Sequence, residues 1–170
     1  MADINKIIPK IKKWEGGYVS HPADSDGGCT NKGITLTTFR TFYGRSKTCE
    51  DLKNISDTQW KTILKKGYWD KMGADHIENQ SIAELCVQMC WGSGAKTAIR
   101  KIQRCLGCEP DGIVGPKTLA ALNAPNRAEI HAKLWEMRRI WFMNIVKAQP
   151  KKKVFLNGWL NRLATFVFEE

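Results

Sequence analysis

The sequence predicts an all-α protein in which one glycine-rich loop, residues 16–34, has room for a small β-hairpin. Two observations carry this expectation. Apolar residues recur at helical spacing through most of the 170-residue chain, and alternating strand-like runs are almost absent. A third is the punctuation: N-capping residues precede the periodic segments, and Gly or Pro follows them.

The elements follow in order. Ile4, Ile7, Ile8 and Ile11 stand at helical spacing behind Asp3, a good N-cap, so residues 4–15 read as a helix with Pro9 as a kink point. Gly16-Gly17 stops it, because glycine reaches the positive φ of a helix C-cap at little cost. Thr35 caps a segment holding Leu36, Phe39 and Phe42. Ser56 and Gln59 form a capping-box pattern ahead of Trp60, Ile63 and Leu64, giving a helix to about Lys66.

From Ser81, the residues Ile82, Leu85, Val87 and Met89 lead into Trp91, and G-S-G at 92–94 interrupts the helix. Residues 95–106 turn Ile99, Ile102 and Leu106 inward and Lys96, Arg100, Lys101 and Arg104 outward, with Gly107 as C-cap. Pro116 suits the first turn of the next helix. Residues 126–148 make a long helix with Ile130, Leu134, Met137, Trp141 and Ile145 on one stripe and the basic pair Arg138 and Arg139 beside it. P-K-K-K at 150–153 reads as a solvated connector, and the apolar segment 155–168 as a last helix packed back on the fold. No internal repeat or heptad run is present.

Composition narrows the function classes. A 42% hydrophobic content is that of a globular chain, enough for one compact domain or two small ones. The 27 basic and 17 acidic residues leave a net charge of +10, which favours a polyanionic partner such as nucleic acid, anionic lipid or an acidic cell wall. The basic residues are dispersed and match no nucleic-acid motif, so no nucleic-acid partner is expected. The N-terminal M-A-D-I-N-K-I-I-P-K-I-K-K lacks a continuous apolar core and a cleavage site, and no apolar run reaches transmembrane length.

Six cysteines, at 29, 49, 86, 90, 105 and 108, read as free thiols in a chain with no visible signal peptide. Cys86 with Cys90 and Cys105 with Cys108 have ligand-like spacing, but they fall in helical segments, where small buried cysteines are a common core choice. No metal and no cofactor are expected. His21, His76 and His131 are far apart and mark no thiol-protease pattern, and no phosphate-binding glycine loop is present.

The chemistry concentrates between Trp14 and Thr35, W-E-G-G-Y-V-S-H-P-A-D-S-D-G-G-C-T-N-K-G-I-T. Glu15 ends a helix, where the dipole's negative end and the neighbouring Trp14 or Tyr18 disfavour an ionised carboxyl. A protonated carboxyl near neutral pH is what protonates a leaving sugar oxygen. Asp24 and Asp26 follow in the loop as candidates for a second acid, and Thr30 as a hydroxyl that positions water or caps the loop backbone. Tyr18, together with Tyr68 and Trp69 in G-Y-W-D, offers aromatic faces for a sugar ring, and Gln88 a hydrogen-bonding amide.

The block E-G-G-Y, then P-A-D, then G-G-x-T-N-x-G-I-T resembles the signature of glycoside hydrolase family 108, the N-acetylmuramidases of phage and bacterial origin. The Tyr-Trp-Asp run and the G-W-x-x-R near the C-terminus are similar to it too. D-G-I-V-G-P-K-T at 111–118 resembles the D-G-x-x-G-P-x-T signature of peptidoglycan-binding modules. The resemblance covers nearly the whole chain, from about Ile4 to Arg162. It departs in two places: D-S-D-G-G carries one extra residue, so Asp24 and Asp26 compete for the second acid, and Gln88 stands where relatives often carry an acidic residue.

The resemblance implies a lysozyme-like helical fold, with a muramidase-like catalytic part over 1–94 and a helical peptidoglycan-binding-like part over 95–170, packed as one unit. It implies hydrolysis of the β-1,4 bond between N-acetylmuramic acid and N-acetylglucosamine, with Glu15 as general acid and peptidoglycan glycan strands as partner. A phage lysin and a bacterial wall-remodelling enzyme fit equally. Synthesis in the cytoplasm without a signal peptide, then action on the wall or periplasm by a separate exit route, is the expected itinerary. The alternative is a non-catalytic peptidoglycan-binding or secretion-associated protein.

Overall fold

Helical periodicity becomes helix along most of the chain. In the computed structural model, which describes residues 1–21 and 28–170, 67% of the described residues are helical and one small antiparallel sheet supplies the strands among them. The order is α1 (Ile4–Trp14), β1 (Val19–His21), β2 (Gly28–Asn31), β3 (Ile34–Thr35), α2 (Leu36–Tyr43), α3 (Cys49–Lys53), α4 (Asp57–Leu64), α5 (Gln80–Ser93), α6 (Ala95–Cys105), α7 (Pro116–Leu122), α8 (Arg127–Ala148) and α9 (Lys153–Ala164). Contacts divide the chain into two compact units, Asn5–Gly67 and Met1–Ile4 with Tyr68–Glu170.

In the first unit, α1 buries Ile7 and Ile11 completely, worth about 1.5–3 kcal/mol each, and it runs unbroken through the exposed Pro9. The helix ends at Trp14, one residue before the expected limit. Gly16 and Gly17 do not adopt positive φ, so the stop is not a left-handed cap. The expected hairpin is β1 paired with β2, His21 opposite Gly28 and Val19 opposite Thr30. A third strand, which the sequence did not suggest, pairs Thr30 with Thr35 and Asn31 with Ile34.

The caps were legible. Thr35 accepts the Thr38 N–H at the start of α2, and Ser56 and Gln59 exchange side-chain and backbone bonds at the start of α4. Beyond α4 the chain continues as a π-helical turn, Lys65–Trp69. Thr48 and Asp51 make a second capping box at α3, a five-residue helix too short to announce itself by periodicity. Cys29 and Cys49 form a disulfide that fastens β2 to α3, correcting the expectation of free thiols throughout. Folding brings these two thiols, 20 positions apart in sequence, face to face.

In the second unit α5 is buried from Ser81 to Trp91, which explains its weak periodicity: it has no solvent face to pattern. The D-G-I-V-G-P-K-T run is a turn fastened to α6. Asp111 accepts the Ile113 N–H and the Gln103 amide, each at 2.8 Å, and these hydrogen bonds hold its carboxyl below the usual range. Gln103 also donates to Thr118 and accepts the Gly112 N–H. Gly112, at φ 82°, lies where a Cβ would meet Lys96 Cγ at 3.0 Å. Pro116 opens α7 as expected.

The buried stripe of α8 is Ile130, His131, Leu134, Arg138 and Phe142, rotated from the expected one. Arg138 goes inside because its guanidinium donates to Ser93 Oγ at 2.8 Å and stacks 4.3 and 4.1 Å from the Trp141 and Phe142 ring centres. Burial and then the neighbouring Arg162 lower its pKa to about 10. α9 stops at Ala164, short of the expected 168. The tail leaves the helix and reaches the start of α5, where Glu169 bonds Ser81 and Asn79, while Phe166 is buried.

Candidate active site

Glu15 follows α1 directly. Its N–H bonds the Lys12 carbonyl at 3.2 Å, a tightened last turn that fixes where the side chain starts. Lys12 pairs with Asp57 of α4 and lies 5.0 Å from the centre of the Trp60 ring. Hydrogen bonds from Lys12 and Lys61 lower the Asp57 carboxyl to about 2. These exposed pairs give α1 direction more than stability.

The Glu15 carboxyl rests on the Lys32–Gly33 turn between β2 and β3. Both turn residues have positive φ, 49° and 79°, as a two-residue type I′ hairpin loop requires. A Cβ on Gly33 would stand 2.2 Å from Glu15 Oε2 and 2.5 Å from Cδ, so only glycine admits the carboxyl here. Trp60 Nε1 donates to the Lys32 carbonyl at 2.9 Å. One helix, α4, therefore holds both the end of α1 and the turn that receives Glu15.

The strand leading into that turn is anchored twice to α3. Besides the disulfide, Asn31 Nδ2 donates to the Leu52 and Lys53 carbonyls at 3.0 and 3.1 Å, satisfying acceptors the helix end leaves open. Cys29 and Asn31 are buried on one face of β2, so Thr30 lies on the opposite, half-buried face. Tyr18 is half-buried with Lys53 Nζ 5.7 Å from its ring centre. Asp24 and Asp26 lie outside the described residues.

The remaining sequence candidates belong to the second unit. Tyr68 is half-buried and its ring meets Trp91, centres 4.9 Å apart. Trp69 is fully buried and donates its indole N–H to Asp75 at 2.7 Å, so it is a core residue and offers no face to a sugar. Gln88 is 2% exposed within α5, and its Oε1 has no hydrogen-bond partner among the described residues. Neither Trp69 nor Gln88 reaches the protein surface. Sequence reasoning missed Gly33, although N-K-G-I-T, a glycine between strand-forming residues, is the signal that finds it.

Cys86 and Cys90, both free and fully buried, are chemically quiet. Burial pushes the Cys90 thiol up to about 12 and the Cys86 thiol well above its ordinary value. Among the described residues, no three His, Cys, Asp or Glu side chains gather into a metal site. Among them too, no helix is long and apolar enough to cross a membrane.

A mostly helical fold with one small antiparallel sheet is the fold of the lysozyme-like class. The chain belongs to the Glycosyl hydrolase 108 family, which residues 8–94 match. Residues 97–164 match the family described as Predicted Peptidoglycan domain. Among solved structures the chain is similar to Brucella abortus SagA, at 30% identity over 95% of this chain and 90% of that one, with a TM-score of 0.81. No curated protein sequence matches it. The protein is a peptidoglycan hydrolase of the glycoside hydrolase class.

Proposed function

We propose that the protein is an N-acetylmuramidase that cleaves the β-1,4 bond between N-acetylmuramic acid and N-acetylglucosamine, with Glu15 as general acid. The observation that carries this reading is the seat of the Glu15 carboxyl on Gly33, in a turn held by Trp60. Protein contacts fix the acid where a freely solvated helix end would let it wander, and a fixed acid is what proton transfer to a leaving oxygen requires. Glu15 gives its proton to the glycosidic oxygen as the C–O bond breaks and the sugar takes on oxocarbenium character.

Asp24 or Asp26 supplies the second carboxylate, and its distance from Glu15 decides between a covalent glycosyl intermediate and direct attack by water. Thr30 orients that water from β2. Tyr18, half-buried in the unit that carries Glu15, contacts the glycan. The Cys29–Cys49 bond supports action outside the cytoplasm, since disulfides persist in oxidising compartments.

Glu15→Gln keeps the side chain's shape and removes the transferable proton. The expected result is loss of turbidity clearing and of new reducing ends from purified peptidoglycan, at an unchanged melting temperature. Mass spectrometry of the products should place muramic acid at the new reducing end. A folded, fully active Glu15→Gln variant, or glucosamine at that end, would overturn the reading.

A further inference from the structure

The second unit carries a groove of about 320 Å³ between α6 and α8. Its α6 wall presents Lys101 and Arg104, three residues apart and so on one face of the helix. Its α8 wall presents Ile140, Trp141 and Asn144, and no carboxylate lines it. Neither cation joins the ion pairs found among the described residues. The Lys101 ammonium stands 4.8 Å from the centre of the half-buried Trp141 ring, and Ile140 is 46% exposed beside it.

We propose that this groove binds the stem peptide of peptidoglycan through the peptide's free carboxylates. The inference rests on peptidoglycan being the substrate, and it assigns the α6–α8 face the peptide part of that polymer. The chemistry is complementary: two cations about one helical turn apart suit an acidic peptide with more than one carboxylate. The exposed Ile140 suits the methyl groups of alanine, and the Asn144 amide pairs with a peptide bond. Trp141 holds Lys101 in place before the ligand arrives, which limits the entropy lost on binding. Two other grooves fit less well: the one around Asn126 is lined by Glu129 and Glu170, and Arg40 in the one beside α2 is committed to the Lys47 carbonyl.

The test is calorimetry of the full-length protein with a disaccharide tripeptide, N-acetylglucosaminyl-N-acetylmuramic acid bearing the peptide. This probe contains no bond of the kind a muramidase cuts, so binding is read independently of Glu15. The expected result is binding that weakens at least about tenfold in Lys101→Gln/Arg104→Gln, at an unchanged melting temperature. Lys101→Glu/Arg104→Glu should weaken it further, and about 0.5 M salt should weaken the parent. Three results would each overturn the proposal: equal affinity in the neutral double variant, equal affinity of the parent for the disaccharide without its peptide, or displacement of the probe by an oligonucleotide of matching charge at equal concentration. Muramidase activity is scored separately by reducing ends.

Discussion

Adding a single methyl group at Gly33 tests the arrangement of the acid more sharply than removing the acid itself. In Gly33→Ala the new Cβ starts 2.2 Å from Glu15 Oε2, and the carboxyl must withdraw by roughly 1 Å before ordinary contact distances return. A displacement of that size in a reacting group costs about 100-fold in rate. The left-handed φ of 79° adds about 1–2 kcal/mol of backbone strain, or a fall of roughly 2–8 °C in melting temperature for a chain of this length. Gly44 provides the control, because its φ is 110° and nothing lies within 4 Å of the position a Cβ would take. Gly44→Ala should lose stability alone. Reducing-end release from purified peptidoglycan, normalised to folded protein, reads the rate. If Gly33→Ala is folded and as active as the parent, the carboxyl does not work from its seat on the turn and the reasoning fails.

Three further outcomes follow from the packing. Reduction of the Cys29–Cys49 bond, which closes a loop of sequence separation 20, should cost roughly 3 kcal/mol, seen as a lower melting temperature under dithiothreitol that a Cys29→Ser/Cys49→Ser variant reproduces without reductant. Trp69→Phe should cost about 1–3 kcal/mol through its lost bond to Asp75 and lost volume, while the activity of the folded fraction stays at the parent level. Burial pushes the His131 imidazole below 6.5, so the unfolded chain takes up a proton before the folded one does. That contribution to stability is complete above about pH 6.5 and is lost as pH falls through the lowered folded value. Melting curves between about pH 5 and 8 should show the slope, and His131→Leu should flatten it.

Where a residue's neighbours are close in sequence, the fold could be read in advance. The caps at Thr35 and Ser56, the proline opening α7 and the amphipathic α6 are all settled within a few positions, and each stands where its residues indicate. The position of Glu15 was legible for the same reason, as a carboxyl directly after a helix end. Features that depend on distant partners were not legible. Arg138 looks like a surface residue until Ser93, Trp141 and Phe142 are seen around it, and Cys29 looks like a free thiol until β2 meets α3. Trp69 misled because an aromatic in a motif looks the same whether it lines a groove or fills a core. Gly33 lay in plain view as a turn signal, but its second task, yielding space to a carboxyl eighteen positions earlier, exists only in three dimensions.

Strand β2 imposes an arithmetic of parity on anyone who would redesign this enzyme. Positions 29 and 31 are moored to α3 while position 30 looks the other way, so inserting or deleting one residue between them would swap the moorings with the free side chain. Side-chain identity at position 30 can be changed without loosening either mooring, although a variant loses the hydroxyl that Thr30 offers to water. The residue count along the strand cannot.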